Sequence, residues 1–526
     1  MSRFFNTAGP IIREDHYFIE PLHRINLEEI LTLIEQKKYF VLHAPRQTGK
    51  TSYLMALMEY LNQQGKYTCL YVNVENAQAA RANVGDGIRS ILNALAEAAS
   101  LYLQDSFFED NGQQILKKKG KLDALSTALK QWSQQNKKPI VLFIDEIDSL
   151  VGDTLISVLR QVRSGYPTRP LTFPQSIILC GLRDVKDYRI HSDKEQTVIT
   201  GGSAFNIKSK SLRMGNFSIQ EIEALYQQHT TETGQLFNKD IFPLIWGLSE
   251  GQPWLVNALA YEACFEISEG QDRQKEITTE IILQAKENLI LRRETHLDQL
   301  SDKLQEDRVR RVIEPLLSGS LSMEKIQIDD IEYVIDLGLI KKDREIRIAN
   351  RIYQEVIPRE LTYTTQMAIH QESAWYKKED GTLDMVKLLT AFQEFFRMHF
   401  ESWVGGFDYK EAGPQLLLQA FLQRIVNGGG RVEREYGLGR QRTDMLVIWP
   451  YLGGKQQAVI ELKLLYNNLE TTIEKGLEQT WNYMDTCGAR EGYLLIINKS
   501  PDTPWQEKIF MLEKTHQTLP ITVFGM

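Results

Sequence analysis

The sequence predicts a multidomain α/β protein. Its 526 residues exceed what one hydrophobic core usually organises, so three or four domains are expected. Apolar runs typical of buried strands alternate with helical segments through residues 38–215. This alternation favours a parallel sheet that is covered by helices on both faces. A second strand-rich region follows between residues 411 and 498.

Composition limits the classes of protein that the chain can belong to. The net charge of −8 and the pI of about 5.8 exclude a globally basic nucleic-acid binder, so any such contact needs a local basic surface. We expect a cytoplasmic protein without membrane contact, because no signal peptide and no apolar stretch of membrane-spanning length is present. The four cysteines lack metal-ligand spacing, and Cys69 and Cys180 lie in apolar runs, which fits a reducing compartment.

The N-terminal region alternates predicted strands with predicted helices. Strands are expected at 39–43, 69–74, 140–144 and 176–181, and helices at 51–61 and 84–103. A polar stretch follows the second helix and carries a lysine-rich run at 117–121. Fully apolar strands such as 140–144 are typical of the buried centre of a parallel sheet.

A phosphate-binding loop is predicted between the first of these strands and the first helix. Backbone N–H groups cradle phosphates at such a helix start, a lysine reaches the β- and γ-phosphates, and a hydroxyl binds Mg²⁺. Lys50 and Thr51 take the last two roles, and Ala44 stands where the usual pattern has a glycine. The predicted loop is Ala44, Pro45, Arg46, Gln47, Thr48, Gly49, Lys50 and Thr51.

An acidic pair follows the strand at 140–144. Asp145 is expected to hold Mg²⁺ through water, and Glu146 to polarise the water that attacks the nucleotide. An acidic pair at this position favours hydrolysis over binding alone. Together with the phosphate loop, it predicts a site for ATP and Mg²⁺.

The middle of the chain changes character twice. Residues 218–300 are predicted to be helical, with amphipathic segments that start at Ser218, Asn238 and Thr278. Residues 305–361 combine two helices, at 309–317 and 331–337, with a charged hairpin, which is the pattern of a winged helix. Asp329 and Asp330 are placed to cap the second of these helices. A polar linker is expected at 362–383.

The C-terminal region carries a second candidate metal site. Asp444 begins a predicted strand, and seventeen residues later Glu461 ends another, followed by Leu462 and Lys463. Two carboxylates can share a hard divalent cation, and the lysine can orient the attacking water or offset charge at a phosphate. The sequence therefore predicts metal-dependent phosphodiester chemistry here.

Several neighbours of this site have more than one interpretation. Arg431, Arg434, Arg440 and Arg442 precede Asp444 and fit phosphate contact, with Arg440 and Arg442 favoured over a merely solvated face. Trp449 and Trp481 are either base-stacking or core residues, with core packing favoured.

The N-terminal 360 residues resemble the AAA+/STAND branch of P-loop ATPases, particularly the archaeal-ATPase-like and origin-recognition-like members. The resemblance is carried by the phosphate loop, by Asp145-Glu146 and by the Gly251-Gln252-Pro253-Trp254-Leu255 segment. It implies a helical lid that closes on the nucleotide through Pro253. It also implies a sensor role for Arg183 and arginine-finger roles for Arg160 or Arg163. The alternative for each of these arginines is an ordinary surface or salt-bridged residue. Tyr17, Pro21, Leu22 and Arg24 are positional candidates to frame the adenine.

The C-terminal region resembles the PD-(D/E)XK nucleases, in its predicted αβββαβ order and in Asp444, Glu461 and Lys463. Gln479 and Tyr483, one helical turn apart, resemble the Gln-x-x-x-Tyr motif of RecB-like members and would contact the substrate backbone near the metal. The resemblance implies Mg²⁺ or Mn²⁺ as cofactor and DNA as substrate. One departure is the first helix, where Glu411 only precedes it and Gln415 and Gln419 lie within it.

The resulting prediction is an ATPase that regulates a nuclease. Its segments are a P-loop ATPase core (1–217), a helical lid (218–304), a winged helix (305–361), a linker (362–383) and a PD-(D/E)XK nuclease-like domain with the restriction-endonuclease-like fold (384–526). Such fusions resemble bacterial defence or mobile-element proteins and imply nucleotide-dependent homo-oligomers. Two alternatives are a nucleotide switch whose C-terminal fold binds nucleic acid or protein without cutting, and a DNA-remodelling motor. The winged helix could contact DNA or protein.

Overall fold

The computed structural model divides the chain into two compact units. One comprises Met1–Arg292 with Ile335–Gly338, and the other comprises Arg293–Val334 with Leu339–Met526. The residues that it describes are 3–183, 190–191, 198–199, 209–292, 297, 302–318, 326–343, 345–361, 376–406, 414, 417–419, 421–422, 430–435, 444–465, 468–500, 502–517 and 519–526.

The first unit alternates strands with helices and then becomes helical. Its elements are β1 (Phe4–Phe5), β2 (His16–Tyr17), α1 (Leu27–Glu35), β3 (Phe40–His43), α2 (Lys50–Gln64), β4 (Thr68–Asn73), α3 (Val84–Leu103), α4 (Phe107–Lys119), α5 (Ala124–Gln135), β5 (Ile140–Asp145), α6 (Gly152–Ser164), β6 (Ser176–Gly181), β7 (Ile190–His191), β8 (Val198–Ile199), β9 (Lys210–Arg213), α7 (Ile219–Thr233), α8 (Ile241–Ser249), α9 (Pro253–Tyr261), α10 (Ser268–Gln271) and α11 (Thr279–Arg292).

Five strands of the first unit form a parallel sheet in the order β4-β5-β6-β3-β9, and β1-β2 and β7-β8 form separate two-stranded sheets. The first of these strands in the chain, β3, lies inside the sheet between β6 and β9. The connections from β3 therefore lead to strands on opposite sides of it. The carboxyl end of β3 borders the crevice that such a reversal of strand order creates, which is where sheets of this kind bind ligands. Core side chains pack on both faces, with α3, α4, α5 and α6 on one and α1 and α2 on the other.

Local sequence explains the start of two lid helices. Ser218 caps α7 with a complete capping box, because its side chain accepts from the Glu221 backbone while the Glu221 carboxylate accepts from the Ser218 N–H. Gln252 caps α9, and Pro253 occupies the first turn, where a missing N–H costs nothing. Gly251 has φ of 72°, and a side chain there would collide with the Phe217 carbonyl oxygen. The turn between α8 and α9 is therefore a position that favours glycine.

Most of the predicted elements in this unit are confirmed. The helix at 84–103 and the strand at 176–181 have the predicted bounds, and Cys69 and Cys180 are buried thiols within strands. No secondary structure was predicted for the polar stretch that carries the lysine-rich run. That stretch contains α4, whose apolar residues Phe107, Phe108 and Ile115 pack into the core. The lysines in its last turn interact favourably with the negative end of the helix dipole.

The remaining elements begin with helices and a hairpin and end in a large sheet. They are α12 (Asp307–Ser318), α13 (Ile328–Asp336), β10 (Ile340–Lys342), β11 (Ile346–Ile348), α14 (Arg351–Leu361), α15 (Met385–Gly406), β12 (Arg431–Glu435), β13 (Asp444–Tyr451), β14 (Gly454–Leu464), α16 (Leu469–Cys487), β15 (Glu491–Ile497), α17 (Trp505–Lys508), β16 (Phe510–His516) and β17 (Leu519–Gly525).

The sheet of the second unit has the order β12-β13-β14-β15-β17-β16. Strands β12, β13 and β14 are antiparallel, and β14, β15 and β17 are parallel. Residues of α15 pack on one face and residues of α16 on the other. Gly492 of β15 lets α16 lie close, since a side chain there would collide with the Met484 sulfur.

Two boundary predictions in this region need correction. Asp329 and Asp330 lie in the first turn of α13 rather than before it, because the helix begins at Ile328. Glu461 lies inside β14, which continues to Leu464 and pairs with β15. The hairpin of β16 and β17 had no counterpart in the sequence analysis. Arg440, Arg442, Glu411 and Gln415 fall outside the described residues.

Across the part of the chain that the structure describes, no helix combines the length and apolarity needed to cross a membrane.

Candidate functional site

The phosphate loop lies at the carboxyl end of β3 and runs directly into α2. Ala44 is fully buried and donates its N–H to the Gly181 carbonyl at 3.3 Å. Gly49 has φ of 95° and precedes the first helical residue, Lys50. Lys50 Nζ donates to the carbonyl oxygens of Ala44 and Pro45 at 2.9 and 3.0 Å. The lysine is thereby held inside the curve of the loop, beside the α2 N-terminus.

The rest of the loop adds side chains of different exposure. Thr48 is buried and donates its hydroxyl to the Pro45 carbonyl at 2.8 Å. Gln47 has φ of 57°, and its side-chain oxygen has no hydrogen-bond partner among the described residues. Arg46 is exposed. The structure thus brings all eight predicted residues into one loop at the end of a parallel strand.

A hydrogen-bond network fixes the carboxylate of Asp145. Its Oδ2 accepts from the Thr51 hydroxyl at 2.8 Å and from the Tyr71 hydroxyl at 3.0 Å, and its Oδ1 accepts from the Glu146 backbone at 3.0 Å. Asp145 has no exposed surface. Burial, and then the neighbouring Asp145, raise the pKa of the Tyr71 phenol, so Tyr71 remains a donor to the carboxylate. A hydroxyl beside a carboxylate is an oxygen donor set that suits Mg²⁺.

Glu146 follows in a strained and electrostatically unusual position. Its φ is 57°, a left-handed conformation that is uncommon for residues other than glycine. Burial raises the pKa of its carboxyl to about 7, with further contributions from Asp148 and Asp145 that Lys50 partly offsets. A carboxylate with a pKa near neutral pH is suited to accept a proton from water.

A cavity of about 120 Å³ adjoins the loop within the first unit. Its walls come from the N-terminal segment, the phosphate loop and the lid. Tyr17, Pro21 and Arg24 line it, together with Pro253 of the lid, whereas Leu22 does not. Trp254 joins lid and N-terminal segment, because its indole N–H donates to the Thr7 carbonyl at 2.8 Å.

Two arginines border this region in different ways. Arg24 donates to the carbonyl oxygens of Thr48 and Gly215 at 3.2 and 2.5 Å and lies over the Phe217 ring. Burial lowers the pKa of its guanidinium to about 10. Arg183 follows β6 and donates through Nε to Asp336 Oδ2 at 3.3 Å, with both side chains about 10% exposed. The finger candidates Arg160 and Arg163 lie on α6, exposed and half-buried respectively.

The second unit places Glu461 and Lys463 on the α16-covered face of its sheet. Val459 packs in the core beneath α16, and residues two apart along a strand share a face. Glu461 has no exposed surface and forms an ion pair with Lys463, whose side chain is 20% exposed. The backbone register brings Asp444 next to Glu461. Met445 of β13 pairs with Ile460 of β14, and because the strands are antiparallel, Asp444 before Met445 lies beside Glu461 after Ile460.

Helix α16 carries the two remaining predicted residues. Tyr483 is buried and packs in the same cluster as Val459, whereas Gln479 is half-buried with its side-chain oxygen unpartnered among the described residues. Trp449 is a core residue, as favoured, and donates its indole N–H to the Gly381 carbonyl at 2.9 Å. Among the described side chains, no group of three or more His, Cys, Asp or Glu residues is arranged to hold a metal ion.

Sequence reasoning missed the role of Tyr71. Tyr71 reaches Asp145 because β4 pairs with β5, with Asn73 opposite Asp145, a pairing between residues more than seventy positions apart. No local pattern signals that pairing.

The sheet order, the loop and the buried acidic strand end define the class of the first unit, a P-loop ATPase-like α/β fold. Residues 22–171, which span the loop and Asp145-Glu146, match the sequence profile of the family described as Nephrocystin 3, N-terminal. A search of curated proteins gave no match.

Three solved structures have a chain course similar to part of this protein. The Walker-type ATPase PABY2304 of Pyrococcus abyssi shares 15% identity over 67% of this chain and 99% of its own, with a TM-score of 0.45. Cdc6p from Pyrobaculum aerophilum shares 12% over 65% and 93%, with a TM-score of 0.36. The Thermotoga maritima RuvB Holliday junction branch migration motor shares 11% over 63% and 95%, with a TM-score of 0.33. At these values the likeness carries no conclusion about ligands or partners of this chain.

Proposed function

We propose that the first unit binds and hydrolyses ATP with Mg²⁺. The observation that carries this proposal is the buried Asp145, whose Oδ2 accepts from the loop residue Thr51 while the adjacent Glu146 has a pKa near 7. When bound, Mg²⁺ would be held by Thr51 and Asp145 and would neutralise charge on the phosphates.

The residues of this chain then have separate tasks. Lys50 exchanges its bonds to the Ala44 and Pro45 carbonyls for phosphate oxygens. Glu146 accepts the proton of the attacking water, and Tyr71 keeps the Asp145 carboxylate in place. Pro253 and Trp254, which line the cavity beside the loop, close the lid side of the site. Arg183 acts as the sensor of the γ-phosphate.

We further propose that the second unit cleaves DNA with Mg²⁺ or Mn²⁺, under control of the nucleotide. Support comes from Glu461, a fully buried carboxylate that shares its sheet face with Lys463 and adjoins Asp444 in register. A buried carboxylate paired with a cationic group can accept a metal ion in that group's place. Asp444 and Glu461 would hold the metal, Lys463 would turn to the phosphate, and Gln479 and Tyr483 would contact the substrate backbone.

A second candidate function is a nucleotide switch whose C-terminal fold binds nucleic acid or protein without cutting. The ion pair between Glu461 and Lys463 favours it, because a carboxylate neutralised by its own strand is stable without a metal. The two functions predict different results when metal and DNA are added: the first predicts cleavage, and the second predicts binding without cleavage.

A cleavage assay on plasmid and single-stranded DNA separates the candidates. With Mg²⁺ or Mn²⁺, and with or without ATP, the wild-type chain should cut, and Glu461→Ala and Lys463→Ala should not. Lys475→Ala, which removes an exposed lysine of α16, is the matched control and should cut normally. DNA that is bound but uncut by the wild-type chain would support the switch.

ATP turnover tests the first unit independently. Lys50→Ala should abolish it, whereas Lys130→Ala, at an exposed lysine of α5, should leave it unchanged. A wild-type chain that binds ATP but never hydrolyses it, with or without DNA, would leave Glu146 as a switch residue and refute the hydrolysis proposal.

A further inference from the structure

The cavity beside the phosphate loop contains a buried polar group that no described residue satisfies. Asn257 of α9 lines this cavity and is nine-tenths buried. Its amide nitrogen donates to the Pro253 carbonyl at 2.8 Å, which fixes the orientation of the carboxamide. Its oxygen, Oδ1, has no hydrogen-bond partner in the described part of the chain.

Several side-chain donors around the cavity bond to other groups. Arg24 donates to the Thr48 and Gly215 carbonyls, Thr48 donates to Pro45, and Trp254 donates to Thr7. No described donor bonds to Asn257 Oδ1. Among the described residues the Tyr17 hydroxyl has no partner either, but it can donate or accept and so does not distinguish one ligand from another.

An unpartnered buried acceptor favours a ligand that brings a hydrogen-bond donor. Burying such a group without a partner is unfavourable, so a ligand that satisfies it binds more tightly than one that does not. The edges of the purine bases differ at this point: adenine carries an amine at C6, and guanine and hypoxanthine carry a carbonyl oxygen. The amine can donate to Oδ1, whereas a carbonyl oxygen would place two acceptors against each other.

We propose that Asn257 is the base-reading residue of the nucleotide site and selects adenine by accepting a hydrogen bond from its exocyclic amine. The proposal rests on nucleotide binding at the phosphate loop, as proposed above. It adds the base specificity of that site and assigns it to a lid residue. Because Pro253 is both a cavity residue and the acceptor that orients the carboxamide, the start of α9 sets the position of the reader.

Calorimetric titration with two nucleotides tests this assignment. ATP is compared with purine riboside triphosphate, which lacks only the amine, both with Mg²⁺. The wild-type chain should bind ATP roughly 3- to 10-fold more tightly, the range expected for one hydrogen bond. GTP should bind more weakly than either, because of its carbonyl oxygen.

Two variants then locate the preference. Asn257→Ala should bind ATP and the amine-free analogue with equal affinity, and Asn257→Asp, which keeps an acceptor, should retain the preference for ATP. Ser52→Ala is the matched control, since Ser52 lines the same cavity and its Oγ accepts from the Ile11 backbone. It should change both affinities by the same factor and leave their ratio intact.

The outcomes separate this inference from the proposal beneath it. Equal binding of ATP and the analogue by the wild-type chain, a measurement that needs no variant, would overturn the role of Asn257 while leaving nucleotide binding intact. A ratio that persists in Asn257→Ala would overturn it as well. Absence of binding by every nucleotide would instead overturn the nucleotide site itself.

Discussion

The two acidic sites of this protein are held in place by different means. In the first unit, Asp145 is fixed by hydrogen bonds from Thr51, Tyr71 and the Glu146 backbone, which belong to three different stretches of chain. In the second unit, Glu461 forms an ion pair with Lys463, two residues along the same strand. The first carboxylate is pre-organised by its surroundings, and the second is neutralised by a local cation. We therefore expect substitutions around the first to act on geometry and those around the second to act on charge.

The largest effect is expected at Glu146. Glu146→Gln keeps the size of the side chain but removes the base, so ATP turnover should fall by roughly 10²- to 10⁴-fold while ATP binding persists. Steady-state phosphate release and calorimetric ATP binding check the two halves. If turnover survives in Glu146→Gln, the proton acceptor lies elsewhere in the site.

A smaller change is expected from pH. The pKa of Glu146 is raised to about 7, and the group must be deprotonated to act as a base, so turnover should rise about tenfold between pH 6 and pH 8. Rates at saturating ATP and Mg²⁺ provide the profile.

Asp148 offers a way to move this profile. It is the leading charged neighbour that raises the pKa of Glu146, so Asp148→Asn should shift the rise to lower pH. The asparagine can still accept from the Leu182 backbone, as Asp148 does at 3.2 Å. Glu75→Gln should shift the pH profile less, because Glu75 raises the pKa of Glu146 less than Asp148 and Asp145 do. A profile that is flat from pH 6 to pH 8 contradicts the assignment.

Tyr71 tests how far geometry matters at Asp145. Tyr71→Phe removes one of the two hydroxyl donors to Oδ2, and the Mg²⁺ concentration that half-saturates ATP binding should rise about 3- to 5-fold. Titration of Mg²⁺ at fixed ATP, followed by calorimetry, measures this directly. Tyr102→Phe, at the ring that packs edge-on against Tyr71, is the control and should have no such effect.

The smallest change in affinity is expected at the second site, where metal binding and DNA cleavage should respond in opposite directions. Lys463→Met removes the cation beside Glu461, so Mn²⁺ affinity should increase by roughly 3-fold while DNA cleavage is lost. Calorimetry with Mn²⁺ in the absence of DNA gives the first quantity. Weaker Mn²⁺ binding in Lys463→Met would show that the lysine supports the metal site rather than competing with it, and the contrast between the two sites would disappear.

The extent to which sequence predicted these features depends on how local their causes are. The phosphate loop, Lys50, Thr51 and Asp145 could be placed because each follows an apolar run at fixed spacing. Helix α4 was missed because its apolar residues are few, and β16 because most of its side chains are exposed. Tyr71 and Asn257 could not be found, since their roles depend on strand pairing and on a cavity formed by distant segments.

The same reasoning explains the error at Glu461. A charged residue after an apolar run usually marks the end of a strand, and here the strand continues because Leu462 and Leu464 pair with Leu495 and Ile497 of β15. This pairing buries the Glu461 carboxylate, which would be exposed to solvent if the strand ended there. The location of the residue could be predicted, but its burial could not.

The position of Trp254 should make nucleotide binding detectable by fluorescence. Its indole lines the cavity beside the phosphate loop and donates a hydrogen bond to the Thr7 carbonyl. Trp132, by contrast, is fully enclosed in the core. A nucleotide that enters the cavity would alter the polarity around Trp254 and leave Trp132 untouched, so the intrinsic fluorescence of the unlabelled protein should report binding. Trp254→Phe should remove that optical signal and thereby identify its source.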